Sequence, residues 1–434
     1  MISEIIKKIK KRDLKIGIIG LGYVGLPLAE LFLKKGFKVL GFDISEVKIK
    51  NFKKGIFGIE DINEEFLKEK INSSEFNVSY DERIIKEMDA IFICVPTPVT
   101  KERVPDLSFV LNAANSVKRN IKKGDIIVLK STTFPETTEK ILLPIFEEDN
   151  FKVGRDFYLG YVPERVNPGD KEFTIDKIPV VTSGVTKNCL KVINEIYKEI
   201  VPMVFPVSSP KVAEMAKIYE NMFRNVNIAL SNQMAILCDR MGIDVWEVIE
   251  AAKTKPFGFM PFYPGPGVGG HCIPVDPYYL SFKAKEYDME IDFITLAAKV
   301  NDDMPYYVVD RILKILNREK ILPSESKVLI FGVAFKRDIS DVRNSPAIKI
   351  ISILKDMVKK VDYIDPYVPE IKEFNKKSLN YKKNILKKYD LVIILTNHSI
   401  FPYEEILENS KLIFDTRGVY RIKNKKIYKL GGGN

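Results

Sequence analysis

The sequence predicts an α/β chain in which two doubly wound parallel-sheet domains flank a middle section of long helices. Three observations predict it. Short apolar runs alternate with helical periodicity up to about residue 205, an almost unbroken helical pattern follows from Pro210, and apolar runs return after residue 319. The expected division is 1–205, 206–318 and 319–434, which agrees with 434 residues being too many for one core when domains run to roughly 100–200 residues.

The first section opens with "KIGIIG", an apolar β-rich run from Lys15 that ends in "GLGYVG". A helix is expected over Leu26 to Lys35, and "FKVLGFD" is the next strand, ending at Asp43. Strand, glycine turn, helix and strand make a βαβ unit, and "AIFICVP", "DIIVLKS" and "YLGYVP" supply further strands of a parallel sheet. The middle section reads "KVAEMAKIYENMFRNVNIALSNQMAILCDRMG" and is interrupted by a Gly/Pro-rich stretch around Cys272. Long helices between two sheet domains suit a dimer interface, so a homodimer is expected. The last section carries "KVLIFGVAF", the helix "SPAIKIISILKDM", and the strands "KVDYIDP", "YDLVIIL" and "KLIFDTRG". It is a weak internal echo of the first.

Composition narrows the function. The net charge is +10, but the lysines are spread along the whole chain without a basic stripe carrying interleaved aromatics, which argues against nucleic acid and for a small phosphorylated anion. No apolar run is long enough for a membrane span, and the basic N-terminus lacks the apolar core of a secretory signal, so a cytoplasmic protein is expected. Four cysteines stand far apart without a C-x-x-C, and there are only two histidines, an inventory that speaks against a zinc site or a disulfide scaffold; no metal is expected. Lysine, carboxylates and water are left to carry protons.

The glycines Gly20, Gly22 and Gly25 follow a strand and open a helix, with Asp43 18 residues after Gly25. Such a turn brings backbone N–H groups to a pyrophosphate, while the acid accepts from a ribose 2′-hydroxyl and repels a 2′-phosphate. NAD is therefore expected over NADP, within a Rossmann-like domain. "VPTP", with Thr97, and "KSTTFPE", with Ser131 and Thr132, stand at the carboxyl ends of later strands, where such a sheet holds its ligand. Each hydroxyl equally suits a helix cap. Lys217 and Asn221 are spaced i, i+4, with Arg224, Asn225, Ile228 and Asn232 near the same stripe. This is either a polar cleft wall or a solvated helix face.

In "PGPGVGGHCIP" the glycines allow close backbone approach, and Asp276 follows Cys272 by four residues. Cys272 alone reads as a nucleophile, a metal ligand or a small hydrophobe in a turn. Beside a nicotinamide site, a nucleophilic thiol could trap an aldehyde as a thiohemiacetal and carry it to a thioester that water cleaves.

Taken in order, "GLGYVGLPLA", "VPTP", "STTFPE", "VPERVNPG", "AKIYEN", "PGVGGHCIPVDP" and "GVAFKRDISDVRNSP" resemble the UDP-glucose/GDP-mannose dehydrogenase family over nearly the whole chain. The resemblance implies a two-step, four-electron oxidation of a sugar C6 alcohol to a uronic acid with NAD. It implies Cys272 as the thiolate, Lys217 and Asn221 as oxyanion stabilisers, and Asp276 orienting water and lysine. Thr132 would hold a water near the nicotinamide, and Glu164 would assist thioester hydrolysis. Cofactor contacts would come from Gly20, Gly22, Tyr23, Val24, Gly25, Asp43, Lys48, Thr97, Thr132 and Arg343. Lys336 and Arg417 would hold the nucleotide diphosphate, with Tyr263 and Gly269 near the sugar.

Within that family Val275 stands where the UDP-glucose branch has a lysine, and "TKPFGFMPFYPGPGVGGHCIPVDPYYL" is similar to the UDP-N-acetylhexosamine 6-dehydrogenases, the N-acetylglucosamine type in particular. Rival substrates are the mannosamine epimer and then UDP-glucose or acetamido relatives of UDP-galactose. A one-step β-hydroxyacid dehydrogenase would need neither the cysteine nor the third section, and a nucleotide-binding sensor would have no reason to assemble Cys272, Lys217 and Asp276. Glu136 replaces a glycine usual at the end of "STTFPE".

Overall fold

The computed structural model describes residues 1–59, 62–100, 102–166, 175–270 and 273–433. The chain divides into two compact units, one formed by Met1–Glu220 with Tyr278–Met289 and the other by Asn221–Pro277 with Glu290–Asn434.

The first unit is built on six parallel strands: β1 (Lys15–Ile19), β2 (Lys38–Phe42), β3 (Phe76–Ser79), β4 (Ala90–Ile93), β5 (Ile126–Leu129) and β6 (Tyr158–Tyr161), in the spatial order β3-β2-β1-β4-β5-β6. Their apolar residues are buried on both faces. Ile16, Ile18, Val39 and Val128 belong to one core, while Ile19, Leu40, Ile91 and Ile127 belong to another. Covering both faces with helices is what makes these strands near-continuous apolar runs. The strand order reverses between β1 and β4, so the ligand crevice of such a sheet opens at their carboxyl ends. The helix after β1 spans Gly25–Lys34, one residue earlier than the periodicity predicts. A short parallel pair, β7 (Val180–Thr182) and β8 (Val204–Pro206), completes the unit's strands.

In the second unit β9 (Lys327–Phe331), β10 (Lys360–Ile364), β13 (Leu391–Ile394), β14 (Ile413–Asp415) and β15 (Ile427–Lys429) form a parallel sheet in the order β10-β9-β13-β14-β15. A two-stranded antiparallel ribbon, β11 (Glu370–Ile371) with β12 (Lys376–Lys377), follows β10. Val328 and Ile330 face one core and Leu329 and Phe331 the other, the same alternation as in the first sheet.

The middle section contains a helix of 32 residues, Pro210–Met241, and one of 27, Asp292–Arg318. The longer helix has two unlike faces. Glu214, Lys217, Asn221, Asn225 and Asn232 are buried, so the stripe predicted from Lys217 to Asn232 is not a solvated face, although Arg224 itself is exposed. On another face Val212, Met215, Tyr219, Phe223, Leu230, Met234, Leu237 and Met241 recur at helical spacing and are exposed. No helix among the described residues is long and apolar enough to cross a membrane.

Candidate active site

The turn after β1 shows why each glycine is there. Gly20 has φ +90°, and a Cβ on Gly25 would fall 2.0 Å from the Gly20 carbonyl oxygen. A Cβ on Gly22, in contrast, would meet nothing within 4 Å, so the turn is closed on its inner side and leaves room at Gly22. The helix that begins at Gly25 has no side-chain cap; Leu26 N donates to the Gly22 carbonyl at 3.0 Å and Pro27 carries no N–H, so of its first three residues Gly25 is the one whose N–H is offered to an anion. Tyr23, beside Gly22, is exposed, and Val24 is the residue on which the helix starts. Asp43 is buried; its Oδ2 accepts from Leu21 N at 3.0 Å and its Oδ1 from Ser45 N at 3.0 Å, while Lys48 Nζ lies 2.7 Å from Oδ2. These residues fit a dinucleotide: a glycine turn with space, a bare helix end, and an acid locked to the turn.

The loops after β4 and β5 are tied together. Ser131 Oγ donates to the Val95 carbonyl at 2.7 Å, and the Thr97 carbonyl accepts from Tyr279 Oη at 2.8 Å. Thr132 is half-buried beside them. Further along that loop, Glu214 of the long helix is fully buried and accepts from Glu136 N at 2.7 Å, Thr138 N at 2.9 Å and Thr138 Oγ1 at 2.7 Å. Burial pushes the Glu214 carboxyl up to about 7 against those donors. Glu136 has φ +78°, the left-handed backbone in which a glycine would be unstrained.

After β6, Glu164 Oε1 accepts from the N–H groups of Arg165 and Val166, each at 2.9 Å, and Lys130 Nζ stands 3.2 Å from Oε2. Burial raises the Glu164 carboxyl, but the Lys130 ammonium, the Val166 N–H and the Lys217 charge outweigh it and hold the group below the usual carboxylate range. It is thus a carboxylate, able to accept a proton from water.

In the second unit the buried stripe of the long helix holds the glycine-rich segment at three points. Asn232 Oδ1 accepts from Gly265 N at 3.0 Å, Asn225 Nδ2 donates to the Ile273 carbonyl at 3.2 Å, and Asn221 Nδ2 donates to Asp276 Oδ2. Cys272 lies outside the described residues, but the chain on both sides of it is fixed by these asparagines. Gly269 sits so close to Phe335 that a Cβ would come within 2.5 Å of it, and Gly270 N donates to the Arg343 carbonyl at 2.9 Å. Among the other cysteines, burial pushes the Cys94 thiol up to about 12 and raises that of Cys238 as well, which removes both as nucleophiles at neutral pH.

Lys336 and Arg417 follow β9 and β14 at the carboxyl end of the second sheet. Arg417 Nε donates to the Leu395 carbonyl at 2.7 Å, and its guanidinium is so close to Gly265 that a Cβ there would stand 2.8 Å from it. Arg343 is exposed and its guanidinium pairs with Asp341 at 2.6 Å. Tyr263 stacks on Trp246 with ring centroids 5.8 Å apart and donates to Glu250 at 2.8 Å. Among the described residues no group of three His, Cys, Asp or Glu side chains could hold a metal.

Sequence reasoning missed Lys130, Glu214, Tyr279 and Lys283. Glu214 was findable, since it lies three residues before Lys217 on the same helical stripe; Lys130, inside an apolar strand ending, carries no such periodic signal.

Comparison with known proteins adds identity to this geometry. Three models of the UDP-glucose/GDP-mannose dehydrogenase family match in order: the NAD binding domain over residues 14–201, the central domain over 211–303 and the UDP binding domain over 329–422. The chain is 40% identical over 359 residues to a UDP-N-acetyl-D-glucosamine 6-dehydrogenase of Pseudomonas aeruginosa, covering 82% of this chain and 84% of the relative. It is 37% identical to a UDP-N-acetyl-D-mannosamine dehydrogenase of Methanococcus vannielii, covering 98% of this chain and 96% of that one. A solved UDP-D-ManNAc dehydrogenase from Pyrococcus horikoshii superposes with a TM-score of 0.89 at 32% identity, covering 97% of this chain and all of the other.

Proposed function

As the chain belongs to the UDP-glucose/GDP-mannose dehydrogenase family and is an NAD-dependent UDP-sugar dehydrogenase, we propose that its substrate is UDP-N-acetyl-D-glucosamine, oxidised at C6 to UDP-N-acetyl-D-glucosaminuronate. The observation that carries the reaction is the triple attachment of the segment from Gly265 to Asp276 by Asn232, Asn225 and Asn221. A covalent thiol mechanism needs its nucleophile presented at one place through two oxidations, and a glycine-rich loop supplies that only when its ends are held. The glucosamine epimer is supported by the 40% identity to the Pseudomonas aeruginosa enzyme together with the segment from Thr254 to Leu280. The 37% identity to a mannosamine dehydrogenase makes that epimer the second reading.

Bound NAD supplies the hydride acceptor for each of the two oxidations. Of the chain's own groups, Cys272 as thiolate adds to the C6 aldehyde, giving a thiohemiacetal; a second oxidation converts this to a thioester, and water releases the acid and returns the thiolate. One alcohol and one water thus yield one carboxylate with four electrons removed. Lys217 and Asn221 stabilise the oxyanion, and Asp276, hydrogen-bonded to Asn221, orients that amide and the attacking water. Glu164, ionised beside Lys130, accepts the proton of the water that cleaves the thioester. Thr132 holds a water, while Thr97 and Arg343 join the glycine turn, Asp43 and Lys48 at the cofactor. Lys336 and Arg417 take the diphosphate, with Tyr263 and Gly269 at the sugar.

The chain works as a homodimer in this reading, with functional sections 1–205, 206–318 and 319–434. The exposed apolar stripe from Val212 to Met241 supports it, since it runs the length of a helix of about 48 Å at 1.5 Å per residue. A monomer mass in solution would reject the dimer.

The test of the reaction is NADH formed per sugar nucleotide at limiting substrate, run with the glucosamine and mannosamine epimers and with UDP-glucose. Two NADH with the first preferred is the expected result. One NADH would remove the thioester, and preference for the mannosamine epimer would replace the substrate.

A further inference from the structure

Glu136 pays for its left-handed backbone with contacts that the reaction scheme above leaves unused. Its carboxylate lies 2.8 Å from Lys283 Nζ and 2.8 Å from Lys140 Nζ. Lys140 is exposed, but Lys283 is buried, with the rings of Phe134 and Tyr287 within 6 Å of its ammonium and Glu286 as its one other carboxylate partner among the described residues. These lysine hydrogen bonds hold the Glu136 carboxyl down to about 2, so the pair stays charged across the neutral range. Lys283 belongs to the helix Asp276–Ala284, and one turn earlier on that helix the fully buried Tyr279 donates to the Thr97 carbonyl at 2.8 Å. One helix face thus grips both loops at the carboxyl end of the first sheet: Tyr279 holds the loop after β4, and Lys283 the loop after β5. On its other side the second loop is held by Glu214, which accepts from the Glu136 N–H at 2.7 Å.

We propose that Glu136 and Lys283 are a positioning pair for the cofactor, whose ion pair fixes the loop carrying Thr132 to the helix Asp276–Ala284 before NAD binds. The pair touches neither cofactor nor substrate. It acts by removing alternative loop arrangements that binding would otherwise have to exclude. The inference rests on the reading that Thr97 and Thr132 contact NAD.

The test is the calorimetric Kd for NAD alongside the melting temperature, in the full chain. Glu136→Gly is the decisive variant, because glycine relieves the left-handed strain while removing the carboxylate. NAD affinity should fall about tenfold with the melting temperature held or raised, and the KM for the UDP-sugar should not move. Lys283→Met should weaken NAD by a similar factor, Lys283→Arg should stay within about twofold of the parent, and the double variant should be no worse than the weaker single one, as expected for coupled residues. Unchanged NAD affinity in Glu136→Gly overturns the proposal, as does a product of the two effects in the double variant, or a loss confined to melting temperature. Thr132→Val separates this from the underlying reading. If it alters NADH formation while the pair variants do nothing, the pair is rejected by itself; if it alters nothing, the loop is not at the cofactor and the pair falls with it.

Discussion

The two sheets of this chain end their second strands in the same way and use the result differently. In the first, Gly20 N donates to the Phe42 carbonyl at 2.9 Å and Leu21 N to Asp43 Oδ2 at 3.0 Å. In the second, Gly332 N donates to the Ile364 carbonyl at 2.9 Å and Val333 N to Asp365 Oδ2 at 2.7 Å, with both glycines at positive φ, +90° and +76°. What surrounds the acid then diverges. Asp43 has a half-exposed lysine beside it, and its helix starts uncapped at the third glycine. Asp365 is sealed: Ala334, Tyr367 and Val368 also donate N–H groups to it, and His398, fully buried, stands 3.0 Å from Oδ2. Because Asp338 N donates to His398 Nδ1 at 2.9 Å, the ring proton sits on Nε2 and points at the carboxylate. The following helix begins only at Pro346 and is capped by Ser345. One backbone plan therefore yields an open dinucleotide end in the first unit and a filled structural joint in the second. What separates them is the side chains delivered to the acid.

The same substitution at both acids should break the likeness most strongly. Asp365→Ala leaves four backbone N–H groups and a histidine without their acceptor around a buried position. Its cost should be about 3–5 kcal/mol, seen in calorimetry as a lowered transition of the second unit, with NAD binding untouched. Asp43→Ala should cost far less in melting temperature and show itself instead in coenzyme choice. The ratio of kcat/KM for NADP to that for NAD should rise about 10- to 100-fold, equivalent to about 1.4–2.7 kcal/mol. Comparable NADP use by the parent chain would deny Asp43 its role.

Acid should sharpen the contrast by a smaller amount. Burial raises the Asp365 carboxyl, but the hydrogen bond from His398 and the backbone donors lower it further, to below its ordinary value of about 3.9. A group depressed in the folded state contributes stability that is complete above the unfolded value and is lost as pH falls through the folded one. Between pH 5 and pH 3 the melting temperature of the parent should therefore fall more steeply than that of Asp365→Asn. Parallel slopes would mean that the Asp365 carboxylate is not the acid-sensitive group of this joint.

Of the two acids only one was legible in the sequence. Asp43 stands at a recognisable distance from three glycines, and glycine turn, helix and acid are all local signals. Asp365 lies 33 residues after Gly332, and its partner His398 another 33 residues on, so their meeting depends on the parallel order of β9, β10 and β13, which no local pattern encodes. The same limit explains the site. Lys217 and Asn221 were readable as one helical stripe. That the amides of Asn225 and Asn232 secure the segment around Cys272, or that Lys283 answers Glu136, emerges only when distant segments are brought together. The other strands of the two main sheets were legible because burial on both faces demands apolar runs, and that demand is local, whereas the short edge strands β3 and β15 were not read.

The smallest test concerns Lys48, the residue that most distinguishes the surroundings of Asp43 from those of Asp365. Its ammonium is 2.7 Å from Asp43 Oδ2, but its side chain is 38% exposed, so the pair is screened by water and contributes roughly 0–1 kcal/mol to stability. Lys48→Met should consequently leave the melting temperature within a degree or two of the parent. Its effect should appear in binding. With the lysine gone, Asp43 keeps the N–H donors of Leu21 and Ser45 and faces the ribose as an uncompensated carboxylate, so a 2′-phosphate is repelled more strongly. NADP affinity should fall by about two- to fivefold while NAD changes less, measured by calorimetric titration of each coenzyme. The difference should shrink at high salt, because the charges involved are near the surface. A variant that instead gains NADP affinity would show that Lys48 does not moderate Asp43, and the two acids would then differ through the seal around Asp365 alone.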